Sequence, residues 1–150
     1  MILLALAVLL VAGIRLVRGT LAVVEVAGPS MQPALSSGDR VLVRRAPLTE
    51  LRSGLVVVVE QPDADGQWAQ EPPRWPPHGR RDWLIKRVAA IPGDRRPAGV
   101  PPPGADSDDG LVPPGMFVVL GDNTECSLDS RVIGCIPADR LLGVMIRLLT

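Results

Sequence analysis

Fifteen arginines and one lysine supply the basic side chains of this chain. That lysine, Lys86, stands in the run Trp83-Leu84-Ile85-Lys86-Arg87-Val88, where strand alternation sets it on one face with Leu84 and Val88. Arginine stays protonated, with a pKa above about 12, whereas a desolvated lysine can fall several units and act as a base. A neutral amine could take the proton of a serine hydroxyl and later return it to a leaving group. Ser30 is a hydroxyl suited to it, because Gly28-Pro29-Ser30-Met31-Gln32-Pro33 reads as a constrained bend. The other reading of Lys86 is a packed stem whose head snorkels to water, and this one feature does not choose between them. His78, the single histidine, lies in the proline-rich stretch Trp75-Pro76-Pro77-His78-Gly79, where an exposed imidazole is the ordinary outcome. A Ser-His-Asp arrangement therefore has little to build on.

The elements that must position these groups read as mainly β. Sixteen prolines, fifteen glycines and a single Phe argue against a helical bundle, and the apolar runs are of strand length. Strands are expected at Leu21–Val26, Val41–Val43, Leu55–Val59, Trp83–Ile91 and Met116–Leu120, the third of them central and buried on both faces. Leu141–Leu149 reads as a strand or a short helix. Proline and glycine concentrate at 61–80 and 95–115, which are expected to be surface loops. With 47% hydrophobic residues the chain is no disordered segment, and its 150 residues suit one core domain with an appendage. Sixteen basic and sixteen acidic residues cancel, so no basic face points to nucleic acid.

The appendage is residues 1–18. Met1 to Ile14 is unbroken apolar sequence, followed by Arg15 and Arg18. It approaches the length of roughly 17–20 residues that a spanning helix needs if those arginines snorkel to the interface. A cleavable signal would begin with a basic region and end at a small-residue site, neither of which is clear, so an uncleaved anchor is the preferred reading, ahead of a signal or a buried helix. The catalytic β domain is expected over 19–150. Arg15 and Arg18 follow the apolar run, and the charge rule alone would keep the rest of the chain cytoplasmic.

Three separated segments resemble the signal peptidase I family of membrane-bound serine–lysine proteases. Gly28-Pro29-Ser30-Met31-Gln32-Pro33-Ala34-Leu35 with Gly38-Asp39 is similar to its nucleophile segment, and Leu84-Ile85-Lys86-Arg87-Val88-Ala89-Ala90-Ile91-Pro92-Gly93-Asp94 to its lysine segment. Gly121-Asp122-Asn123-Thr124-Glu125-Cys126-Ser127-Leu128-Asp129-Ser130-Arg131-Val132-Ile133-Gly134 is similar to its C-terminal segment. All three occur in family order behind an apolar N-terminus, and together they cover roughly residues 20–145. The resemblance implies a signal-peptidase-like β domain with an N-terminal transmembrane helix. It also implies removal of leader peptides from exported precursors, and a single-pass place in the cell membrane with the catalytic domain on the extracytoplasmic side, against the charge rule. The implied partners are a precursor with its leader and membrane lipid, with no nucleic acid, metal or cofactor.

Carried over by residue, the resemblance makes Ser30 the nucleophile and Lys86 the base. It makes Ser127 the hydroxyl that holds the amine, and Asp129 with Arg131 and Asp122 with Arg87 the pairs that stiffen the site. The Ser30 backbone N–H would be one oxyanion donor. Gly28 stands where some relatives carry a second, hydroxyl donor. Pro29 suits the compact organellar-type or special-purpose branches, and Ala89-Ala90 replaces a frequent glycine. Only a proline-rich loop lies between Asp94 and Met116, where larger members insert a capping subdomain, which favours a dedicated substrate.

Cys126 and Cys135 could form a disulfide worth about 2–3 kcal/mol in an oxidising compartment, or could stay as thiols. No further cysteine or nearby histidine completes a zinc set around them. Two other readings remain: an inactive membrane-tethered β domain that binds extended peptides, and a self-cleaving serine–lysine regulator, which would be expected to carry a DNA-binding head.

Overall fold

Four consecutive valines begin the strand on which the domain is built, β3 (Val56–Glu60). β-Branched side chains suit a pleated surface covered on both faces, and Val57, Val58 and Val59 are wholly shielded from solvent. The computed structural model describes residues 20–75, 83–103 and 109–149. Among them, the other strands are β1 (Leu21–Glu25), β2 (Arg40–Arg44), β4 (Trp83–Ala90), β5 (Met116–Leu120), β6 (Ile136–Pro137) and β7 (Leu141–Leu149), with one short α-helix, α1 (Ser130–Ile133), and single 3-10 turns at Leu48–Glu50 and Ala138–Arg140.

All strand pairs are antiparallel, and the seven form one sheet in the order β1-β2-β7-β3-β4-β5-β6. β3 lies between β7 and β4, with Val57 opposite Val144 on one side and Lys86 on the other. Register slips at Leu42/Val43, Val58/Val59 and Val88/Ala90 bend the strands, as bulges do, and the sheet curls. One apolar cluster gathers Val57, Val59, Leu84, Val88, Phe117 and Val119. A second holds Val58 and Ile85 together with Val24 and Val26, the latter pair on and just beyond β1. β1 and β4 are four places apart in the sheet, so their sharing a cluster means that the sheet folds back upon itself.

The strand expectations hold to within a residue or two. Leu141–Leu149, left open between strand and helix, is a strand because β2 and β3 both pair with it. The 95–115 stretch departs from a simple surface loop. Val100 and Val112 are buried with Ala90, Val118 and Cys135 in a third cluster, and Arg95 bridges to Leu111. A proline run directly after each valine, at Pro101–Pro103 and Pro113–Pro114, concealed that role in the sequence. The 61–80 stretch is irregular and largely exposed over its described part, 61–75. The expected anchor at 1–18 and His78 lie outside the described residues. Among the described residues, no helix is long and apolar enough to cross a membrane.

An ion pair that sequence reading did not single out ties the 61–75 loop to the sheet. Arg140 meets Glu60 at 3.0 Å, donates to the carbonyls of Ala69 and Glu71 at 2.9 and 3.3 Å, and stands 6.0 Å from the Trp68 ring centre. Both charges are buried, so removing one partner costs far more than breaking a surface pair. Arg140→Met is expected to lower the unfolding free energy by about 3 kcal/mol. Denaturant titration checks this, and a loss below about 1 kcal/mol would show a solvent-screened pair.

Candidate active site

The excursion between β1 and β2 is closed at its base by Val26, whose N–H donates to the Asp39 carbonyl at 2.7 Å and whose carbonyl accepts from Gly38 at 2.9 Å. Within it, Gly28 adopts φ +80°, a left-handed conformation that glycine takes without strain. Proline at 29 then presets the next φ, and Gln32 N–H closes a turn onto the Pro29 carbonyl at 3.0 Å. Met31 and Leu35 are buried in the second cluster and pin the turn to the sheet. Ser30, beside Met31, is left partly exposed.

Lys86 comes from the middle of β4 and is only 3% exposed. Its Nζ lies 2.6 Å from Ser30 Oγ, a contact across 56 residues of chain. Burial pushes the amine below the ordinary lysine pKa, and the charge of Asp129 opposes that shift without reversing it. The snorkelling alternative is therefore not the observed arrangement: the head group points to a hydroxyl inside the domain.

Beneath the pair lies the segment that follows β5. Asp129 is fully buried and accepts from Gly121 N–H at 2.9 Å, Ser127 Oγ at 2.7 Å, and Arg131 through its backbone N–H, Nε and Nη2 at 3.1, 3.0 and 2.7 Å. Burial alone would raise its pKa, but the bonds from Arg131, Gly121 and Ser127 outweigh it and hold the carboxyl far below the usual range. Asp129 also caps α1 through the Arg131 N–H, and Ser130 Oγ accepts from Val119 N–H at 3.0 Å. Asp122 binds Arg87 through two bonds, of 2.8 and 2.6 Å, and Arg87 reaches the Gly54 carbonyl at 2.8 Å, fastening the turn after β5 to β4.

The structure brings together the expected Ser30 with Lys86, Asp129 with Arg131, and Asp122 with Arg87. Ser127 departs from its expected contact. Its hydroxyl donates to Asp129, and the hydrogen bond of the amine goes to Ser30 instead of Ser127. Gly28 gives its N–H to Ser37 Oγ at 3.3 Å and so offers no second oxyanion donor in this arrangement. The Ser30 N–H has no protein acceptor among the described residues. The bridge considered between Cys126 and Cys135 is not formed: Cys126 is exposed on the turn, while Cys135 packs into the third cluster. No group of three acidic, cysteine or histidine side chains that could hold a metal occurs among the described residues.

Two residues of the site carried no role in the sequence reading. Asn123 N–H donates to the Ser30 carbonyl at 3.0 Å, which joins the C-terminal segment directly to the nucleophile turn. Gly121 has no room for a side chain: a Cβ there would lie 2.6 Å from Ser127 Cβ and 2.7 Å from the Ser30 carbonyl oxygen. A glycine immediately after a buried strand was the available signal, but nothing in the sequence says what approaches it.

A serine hydroxyl held against a buried amine, on the rim of a curled antiparallel sheet, defines a candidate hydrolase site. The family model described as signal peptidase, peptidase S26, matches residues 1–95 and 101–149, and the chain belongs to that family. It is 29% identical over 132 residues to a probable signal peptidase I-2 of Synechocystis sp., a match covering 76% of this chain and 56% of that protein. It is 44% identical over 41 residues to signal peptidase IB of Staphylococcus aureus, covering 27% of this chain and 22% of that protein. The chain thus spans about half or less of the relatives it matches. The mainly β architecture fits the family.

Proposed function

We propose that this protein is a membrane-anchored serine endopeptidase that removes leader peptides from exported precursors, with Ser30 as nucleophile and Lys86 as general base. The 2.6 Å contact between Lys86 Nζ and Ser30 Oγ carries this reading. With the amine neutral, the hydroxyl proton passes to its lone pair as Oγ attacks the scissile carbonyl. The Ser30 N–H would receive the oxyanion, and the lysine then protonates the departing amine. Water, deprotonated by the same amine, hydrolyses the acyl-enzyme and restores Ser30.

An extended substrate has an edge available. β4 pairs with β5 only at Arg87, Val88 and Ala90, so that side of Trp83–Lys86 has no ladder partner among the described residues. Main-chain bonds to such an edge give affinity, while alternate side chains enter pockets. The apolar run Met1–Ile14 supports a tether that would hold Ser30 near an emerging precursor and raise its effective concentration. The proposed place is the cell membrane, single-pass, with the β domain outside the cytoplasm and lipid around the tether.

The test is incubation of the full chain, in detergent or vesicles, with precursors carrying small residues before the cut, followed by mass spectrometry of the new N-termini. Ser30→Ala should cut no faster than background; undiminished cutting would defeat the proposal. The rate should also rise with pH, because the amine must be neutral. Burial lowers the Lys86 pKa from the ordinary lysine value of 10.5, so the half-maximal point should fall below that value. A rate insensitive to pH would count against the amine as base.

A further inference from the structure

β1 and β4 run in the same direction, since each step from β1 through β2, β7 and β3 to β4 is antiparallel. β1 leads into the turn that holds Ser30, β4 carries Lys86, and both strands contribute to the second apolar cluster. At the opposite end of β1, where β7 also begins and β2 ends, lies a cavity of about 530 Å³. Its walls include Arg45, Pro47, Pro72, Trp75 and Leu142. Trp75 and Leu142 also belong to the second cluster or pack against it, so the cavity is continuous with the apolar floor leading to Ser30.

Two polar features of this cavity are unused by the fold. Arg45 is exposed and has no acidic partner among the described residues, whereas the neighbouring Asp139 is paired with Arg140 at 3.2 Å. The Trp75 indole N–H is shielded and has no acceptor among the described residues. Trp75 follows by four residues the segment that Arg140 clamps through the Ala69 and Glu71 carbonyls, so this part of the wall is tied to the sheet.

Resting on the peptidase reading above, we infer that this cavity is a second recognition site for the substrate, taking a leader segment upstream of the cut that carries an apolar side chain beside a carboxylate. The apolar side chain lies against Pro47, Pro72, Trp75 and Leu142, and the carboxylate faces Arg45. A peptide running parallel to β1 and β4 with its scissile bond at Ser30 covers the five residues of β1 in about 16 Å. The occupant of the cavity is therefore roughly five residues before the cut. Arg45 and Trp75 are specificity determinants in this arrangement and do not touch the reacting atoms.

The test uses the full chain and three synthetic peptides identical around the cut. One begins three residues before it; two extend further and carry Glu or Lys at the fifth position upstream. Wild type should prefer the Glu peptide over the Lys peptide by about five-fold in kcat/KM, and both variants are read as ratios between peptides. Arg45→Glu, on an exposed side chain, should invert the preference. Trp75→Ala, once shown to be folded by circular dichroism, should remove the advantage of the long peptides over the short one. If wild type cuts all three equally, the second site is wrong while the peptidase reading stands. If wild type cuts none, the peptidase reading has failed, and anisotropy of the labelled Glu peptide decides: binding abolished by Arg45→Glu retains the site, and absent or Arg45-independent binding removes it. Arg45-dependent binding to phosphatidylglycerol vesicles, with no discrimination among peptides, would assign the cavity to lipid and overturn the inference.

Discussion

Lys86→Arg is expected to abolish peptide cleavage, with a fall of at least about a thousand-fold in kcat, because guanidinium does not release its proton at working pH. Charge and length are nearly kept, so an effect of this size would isolate the proton-accepting role from simple electrostatics. The geometry sharpens the expectation. An amine 2.6 Å from Ser30 Oγ and almost fully buried offers a single nitrogen lone pair once neutral, and nothing in a planar guanidinium replaces it. Lys86→Met is the companion variant, keeping the stem beside Leu84 and Val88 without a base. Both should lose activity while retaining the circular dichroism of the sheet. Retention of more than about a tenth of the wild-type rate by the Arg variant would exclude a deprotonated amine at this position.

The two members of the dyad could be picked out because their signals are local and chemical, while their meeting across 56 residues was implied only by the resemblance. One lysine among arginines, on an alternating strand with Leu84 and Val88, already singles out the amine, although that feature alone left a snorkelling head equally open. Gly28-Pro29-Ser30 already implies a stiff bend. The valine-rich strands were legible for the same reason: a run such as Val56–Val59 has few folded environments other than a covered sheet. What stayed hidden depends on partners distant in the chain. Glu60 and Arg140 are separated by 80 residues, and each alone reads as a solvated charge. Gly121 owes its identity to the approach of Ser30 and Ser127, which follows from the curl of the sheet and not from its neighbours. Ser127 was assigned to the amine through family resemblance. Asp129, two residues on, is the acceptor its hydroxyl meets, a pairing set by the fold of the turn after β5.

That pairing leads to the second large effect, at Asp129. Alanine there removes the acceptor shared by Gly121, Ser127 and Arg131, and should cost about 3–5 kcal/mol, because buried donors lose their partners together. Asparagine is the more informative change. Its carbonyl can still accept from Gly121 and Ser127, but the charge is gone, and with it the attraction that raises the Lys86 pKa against burial. The Lys86 pKa should therefore fall further in Asp129→Asn, and the pH–rate curve of the variant should move toward acid even as its maximum rate drops. Stability gives an independent readout. The folded-state pKa of Asp129 is depressed, so its carboxylate stabilises the protein above the ordinary carboxylate range. That contribution drains away as pH falls from there toward the depressed value. Asp129→Asn should flatten this acid-side loss. An unmoved rate profile with a flattened stability curve would make Asp129 a support for the turn alone, whereas movement of both would place it in electrostatic control of the amine.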